Sequence, residues 1–85
     1  MSLRMIKVNE LIRQKLAEIL VREVSWKQGV FVTVTKVKAS PNLKEAHVLV
    51  SVLPASEGNY AMETLRHELY SIQGALNRQL HMKPL

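Results

Sequence analysis

Twelve lysines and arginines stand against seven acidic residues, a formal charge of +5 on 85 residues. The chemistry open to such a set is neutralisation of phosphate, and the partner that usually answers it is nucleic acid. The spacing of part of the set fits that use. At about 100° per residue in a helix, Arg4, Lys15 and Arg22 fall within roughly 20° of one another, with Lys7 about 60° away. Together they make a basic ridge that reads as a row of phosphate contacts. The plain alternative is a solvated helix flank. Glu18 serves that alternative, lying three residues after Lys15 and four before Arg22, where it can pair with either. A second, smaller set is Asn77 and Arg78, one turn after Gly74. If the helix breaks at Gly74, backbone N–H groups freed there would suit a phosphate as well.

Bond-making chemistry is not indicated. The chain has no Cys, hence no thiol nucleophile, disulfide or thiolate-bound zinc. His47, His67 and His81 are scattered, and no pair sits at metal-ligand spacing on one face. Glu63 and Glu68 are too far apart round a helix to share a proton, and no Ser/His/Asp set or Gly-rich phosphate loop occurs. The chain is therefore not expected to be an enzyme, and no cofactor, metal or small-molecule substrate is expected. Hydrophobic content of 47% suits a globular domain and argues against disorder. Apolar runs are too short to span a membrane, and the start MSLRMIKVNE has no apolar signal region, so a cytoplasmic location is the expectation.

The elements that must position these residues read as helix, hairpin, helix. From about Arg4 to Val24, Met5, Val8, Ile12, Leu16 and Ile19 recur at helical spacing, with no Gly or Pro. Ser25 to Gly29 is a connector, with Trp26 expected at the helix–strand junction and its indole N–H at the surface. Val30 to Lys38 is rich in Val and Thr and reads as a strand. Its alternation is imperfect, because the face of Val30, Val32 and Val34 continues as Lys36 and Lys38. Either both faces are partly covered, or a bulge near Thr35 switches the pattern. Ser40-Pro41-Asn42 supplies a turn. From about Lys44 to Leu53 the chain alternates cleanly, with Ala46, Val48, Val50 and Val52 on one side. After a loop around Gly58, with Ser56 or Asn59 as the candidate cap, Met62, Leu65, Leu69, Ile72, Leu76 and Leu80 mark a second helical stretch. Gly74 lies inside it, and the pattern allows either one long helix or two joined by a kink.

The hairpin FVTVTKVKASPNLKEAHVLVSVL resembles the signature of bacterial ribosome-binding factor A. Phe31, Val32, Thr33, Val37, Ser40, Asn42, Leu43, Ala46, Val48, Val50 and Ser51 match that family's hairpin. The upstream stretch RMIKVNELIRQKLAEIL is similar to the family's opening helix. The resemblance implies an α+β fold, a single KH-like domain of the type II arrangement, with a helix, a β-hairpin, a kinked helix pair and a final strand. It replaces the GXXG loop of RNA-binding KH domains by an A-x-G kink. Gly74 matches that motif, while Ile72 stands where the family has Ala. The third helix would be short, from about Ala75 to His81.

The function implied is that of a non-catalytic assembly factor. Its partner would be the small ribosomal subunit and its rRNA, whose late maturation and 5′ processing it assists, above all in the cold. The contacts expected here are the ridge of Arg4, Lys7, Lys15 and Arg22, the hairpin residues Lys36, Lys38 and Lys44, and the kink region of Gly74, Asn77, Arg78, His81 and Lys83. The family's final strand is not found within residues 1–85, so the chain is expected to be either a C-terminally truncated piece or a natural two-stranded form. The expected state is a monomer, with an edge-strand dimer open to a truncated chain. Other functions consistent with the residues are a general KH-like binder of single-stranded RNA and a protein-interaction module that uses the open sheet edge.

Overall fold

The computed structural model describes residues 3–42 and 44–81. Helix α1 spans Leu3–Arg22, strand β1 Phe31–Ala39 and strand β2 Ala46–Leu53. A short 3-10 helix spans Ala55–Glu57, and helix α2 spans Gly58–His81. The expected α+β order of helix, hairpin and helix is present. The matched Leu43 and the tail from Met82 to Leu85 lie outside the described residues.

Helix α1 forms where the sequence has uninterrupted helix formers on a 3.6-residue apolar stripe. Ile12, Leu16, Ile19 and Leu20 of that stripe are buried. They meet Val34, Val37 and Ala39 of β1 and Ile72 and Ala75 of α2 in one cluster, centred on Ile19 and Val34, each 1% exposed.

The two strands form an antiparallel pair, and the register shifts between Val34 and Lys36. Thr35 is the extra residue of a β-bulge, which decides between the two readings of this strand. Before the bulge, Val34 pairs with Val50; after it, Val37 pairs with Val48 and Ala39 with Ala46. Val34, Val37 and Ala39 are all buried although their sequence parity differs. Lys36 and Lys38 are therefore not on the valine face. They share the outer face with Phe31 and Thr33, opposite Leu49 and His47. The Thr35 hydroxyl donates to the Leu49 carbonyl at 3.1 Å, so the irregular rung keeps a hydrogen bond.

The turn after β1 explains two residues of the hairpin signature. Asn42 Oδ1 accepts from the Lys44 N–H at 3.0 Å and from the Ser40 hydroxyl at 2.6 Å. Ser40 Oγ in turn accepts from the Glu45 N–H at 3.2 Å, while the Ser40 N–H donates to the Glu45 carbonyl at 2.8 Å. These bonds close the loop with local partners, as Asn and Ser in turns do. Asn9 of α1 performs a similar service at the end of β1, its Oδ1 accepting the Ala39 N–H at 2.9 Å.

The connector between α1 and β1 differs from expectation in one respect. The Trp26 indole N–H is not at the surface: it donates to the Leu20 carbonyl at 3.1 Å, satisfying an orphan acceptor in the last turn of α1. Gly29, at φ 88°, makes the sharp turn into β1. Trp26 also packs edge-on against Tyr60, ring centroids 6.3 Å apart. The Lys27 N–H donates to the Tyr60 hydroxyl at 2.8 Å, and the Lys27 ammonium pairs with Glu57 at 2.7 Å. Glu57 Oε2 is buried and has that ion pair in place of a well-angled hydrogen bond. These contacts clasp the first connector to the start of α2.

Helix α2 corrects the kinked pair. It runs unbroken through Gly74, so no separate third helix begins at Ala75. Nor does it start at Ser56 or Asn59; the 3-10 turn leads directly into Gly58. Among the described residues the sheet has two strands.

Deleting Thr35 tests the bulge. Without it, Val30, Val32, Val34, Val37 and Ala39 alternate strictly, and every rung from Lys36↔Leu49 onward is preserved. The deletion is expected to fold cooperatively, with a stability change under about 2 kcal/mol by thermal unfolding. Had the strand been regular, the same deletion would expel Val37 and Ala39 from the core and unfold the domain.

Candidate nucleic-acid interface

The cations divide into paired and unpaired sets. Among the described residues, salt bridges engage Arg13 with Glu10, Lys15 with Glu18, Lys27 with Glu57 and Arg66 with Glu63. Arg4, Lys7, Arg22, Lys36, Lys38, Lys44 and Arg78 are exposed and hold no ion pair among the described residues. Among the described lysines and arginines, the unpaired set coincides with the expected contacts except at Lys15. Its side chain is only 15% exposed and its ammonium lies 3.9 Å from Glu18. It lies along the helix surface with its stem packed, as long basic side chains do. Lys15 is thus a weak member of the ridge. Arg13, which sequence reasoning did not select, is neutralised by a fork of hydrogen bonds to Glu10. The guanidinium holds the Glu10 carboxyl below its usual range, and the carboxylate raises Arg13 in return. The Glu10 contribution to stability is therefore present above the ordinary carboxylate pKa and is lost as pH falls through the lowered one.

The structure separates the expected contacts into distinct surfaces. Arg4, Lys7 and Arg22 lie along α1, a helix whose ends are roughly 27 Å apart over these positions. Lys36 and Lys38 face away from the core and from α1, on the other side of the sheet. No single flat ligand touches both sets.

Lys44 and Asn77, distant in sequence, line one groove of about 540 Å³. Ala46, Val48 and Val50 of β2 form one wall and Met62, Leu65, Leu69, Leu76 and Leu80 of α2 the other; Lys44, Glu45, Gln73 and Asn77 also line it. All six residues of the α2 stripe line this groove, and Met62 and Leu69 remain about half exposed. Ile72 and Ala75 anchor α2 in the core, with Leu65 and Leu76 partly buried against the same cluster.

Gly74 and Arg78 lie elsewhere, in a cleft of about 330 Å³ shared with Glu23, Glu68, Tyr70 and Ser71. Arg78 shares that cleft with two carboxylates and forms no ion pair with either. A Cβ built on Gly74 would sit 3.5 Å from Arg78 Nη1, an ordinary contact, so neither packing nor a positive φ requires glycine here. His81 ends α2, and Lys83 lies outside the described residues. No helix among the described residues is long and apolar enough to cross a membrane.

Comparison with known proteins resolves what this arrangement belongs to. The family model for ribosome-binding factor A matches residues 4–85. This chain belongs to the ribosome-binding factor A family. Its KH-like fold accounts for the helix, hairpin and second helix. A ribosome-binding factor A from Opitutus terrae is 33% identical over 86 residues, covering all of this chain and 70% of the relative. One from Phenylobacterium zucineum is 33% identical over 96% of this chain and 59% of its own length. One from Akkermansia muciniphila is 32% identical over 98% of this chain and 66% of its own. The chain thus spans between 59% and 70% of the length of these ribosome-binding factor A relatives.

Gly74→Ala is expected to stabilise the isolated chain by about 1 kcal/mol, because the helix is continuous there and alanine fits. A raised melting temperature in a calorimetric scan is the outcome expected. A lowered one would mean that the chain breaks its helix at Gly74.

Proposed function

We propose that residues 1–85 act as a single KH-like binding domain that docks on the small ribosomal subunit through its rRNA and assists late maturation of that RNA, including its 5′ end. Membership of the ribosome-binding factor A family over residues 4–85 carries this reading. The charge distribution supports the mode. The unpaired cations Arg4, Lys7 and Arg22 on α1 contribute phosphate contacts, joined by Lys44 at the turn, while the paired cations contribute little. Affinity comes mainly from counterion release, and selectivity from the shape of folded RNA rather than from a base code. Trp26 and Tyr60 are occupied with each other and are not free to stack on bases. No chemical step is assigned to the chain; it acts by binding, as a monomer in the cytoplasm where ribosomes mature.

Co-sedimentation with purified small subunits over a salt series tests this. Binding should weaken steeply with salt, and Lys7→Ala and Arg22→Ala should each flatten the logarithmic salt slope by about one unit. Lys15→Ala should change it little. Equal affinity for unstructured single-stranded RNA would replace the subunit reading by that of a general RNA binder. Binding that ignores salt would remove the phosphate mechanism.

A further inference from the structure

The outer face of the hairpin holds the expected contacts Lys36 and Lys38 apart from the α1 cations, and it combines them with exposed apolar side chains that phosphate binding does not use. Phe31 is 67% exposed and pairs across the strands with Leu53, which is 62% exposed. Thr33 pairs with Ser51 on the next outward rung, and Leu49, 58% exposed, pairs with Lys36. The last outward rung is Lys38 with His47. The bulge at Thr35 is what brings both lysines to this face. The face is therefore graded, apolar at the Phe31–Leu53 end and basic toward the turn, with no carboxylate on any of its rungs. Leu49 and Leu53 lie about 13 Å apart along β2, a span that two or three side chains of a partner can bridge.

We infer that this face is a docking surface for a protein segment in which an apolar stretch is followed by an acidic one. Large apolar side chains clustered on one solvent face mark an interaction site more often than scattered ones do. The two flat rings of this face, Phe31 and His47, stand on its first and last outward rungs with Ser51 and Leu49 between them, so they make no platform for successive bases and the face suits protein better than single-stranded nucleic acid. A second copy fits poorly. It sets the lysines either against the partner's lysines or against its apolar end, where an ammonium is desolvated without a partner. An acidic stretch complements Lys36 and Lys38, and its apolar neighbour covers Phe31, Leu49 and Leu53. The inference is independent of subunit binding and stands or falls without it.

Amide NMR shifts of the full chain test it with three additions. The first is a synthetic peptide with a Leu-Val-Leu half and a Glu-Ser-Glu half, beside a control with lysine in place of glutamate. The second is a uridine oligonucleotide, and the third is more of the chain itself. The acidic peptide should move the amides of Thr33, Lys36, Leu49 and Ser51, and the lysine control should not. Phe31→Ser with Leu49→Ser, and separately Lys36→Glu with Lys38→Glu, should weaken the peptide by about tenfold with the remaining spectrum unchanged. Shifts on this face from the oligonucleotide, or from chain concentration alone, would overturn the assignment in favour of nucleic acid or of self-association. No movement on this face at the peptide's solubility limit, or movement only in the groove between β2 and α2, would overturn it outright.

Discussion

The extra residue at Thr35 is the constraint on which the rest depends. A strand of period two cannot bury Val34 and Val37 together unless one residue is left out of the alternation. The bulge does this, and the consequences spread in both directions. Inward, it aligns Val37 and Ala39 with Val34 beneath α1, completing the centre of the core at Ile19 and Val34. Outward, it turns Lys36 and Lys38 away from that core, which could not accept two unpaired ammonium groups. The Thr35 hydroxyl bond to Leu49 keeps the irregular rung anchored.

The second helix is held differently. Its large apolar stripe lines the groove, and Ile72 of that stripe also joins the shared core together with Ala75. At its start it is fastened by contacts of mixed character: the Trp26–Tyr60 ring contact, the bond from the Lys27 N–H to the Tyr60 hydroxyl, and the Lys27–Glu57 ion pair. Position is thus fixed at the Tyr60 end and at the contact of Ile72 and Ala75, backed by Leu65 and Leu76, with the core. Leu69, on the stripe between those two points, is half exposed. The α2 helix therefore touches β2 only marginally, and the groove between them stays open.

Charge follows the same division of labour. Salt bridges at Glu10, Glu18, Glu57 and Glu63 consume four cations, three of them within a single helical turn, at positions where i,i+3 geometry makes pairing easy. The cations left over among the described residues lie on α1, on the outer sheet face, at the turn and, at Arg78, on α2. A net charge of +5 therefore resolves into separate basic surfaces that look in different directions.

Much of this was legible in the sequence. Hydrophobic period alone determined α1, the hairpin and α2, because burial of one face imposes its spacing whatever the partner. The turn chemistry of Ser40 and Asn42 and the wording of the hairpin pointed to the family for the same local reasons. The unpaired cations on α1 were largely readable too. Glu18 was within reach of both Lys15 and Arg22, and only the folded structure shows that it pairs with Lys15. Where sequence left two answers, tertiary contact decided. The choice between a bulge and a two-sided strand depended on α1 covering one face of the sheet. Trp26 turned inward because the end of α1 offered the Leu20 carbonyl as an acceptor. The helix continued through Gly74 because a glycine permits a bend but does not compel one, and nothing packed there demands it. Local sequence determines which elements form; which side chains remain free for a partner is decided only by what the other elements cover.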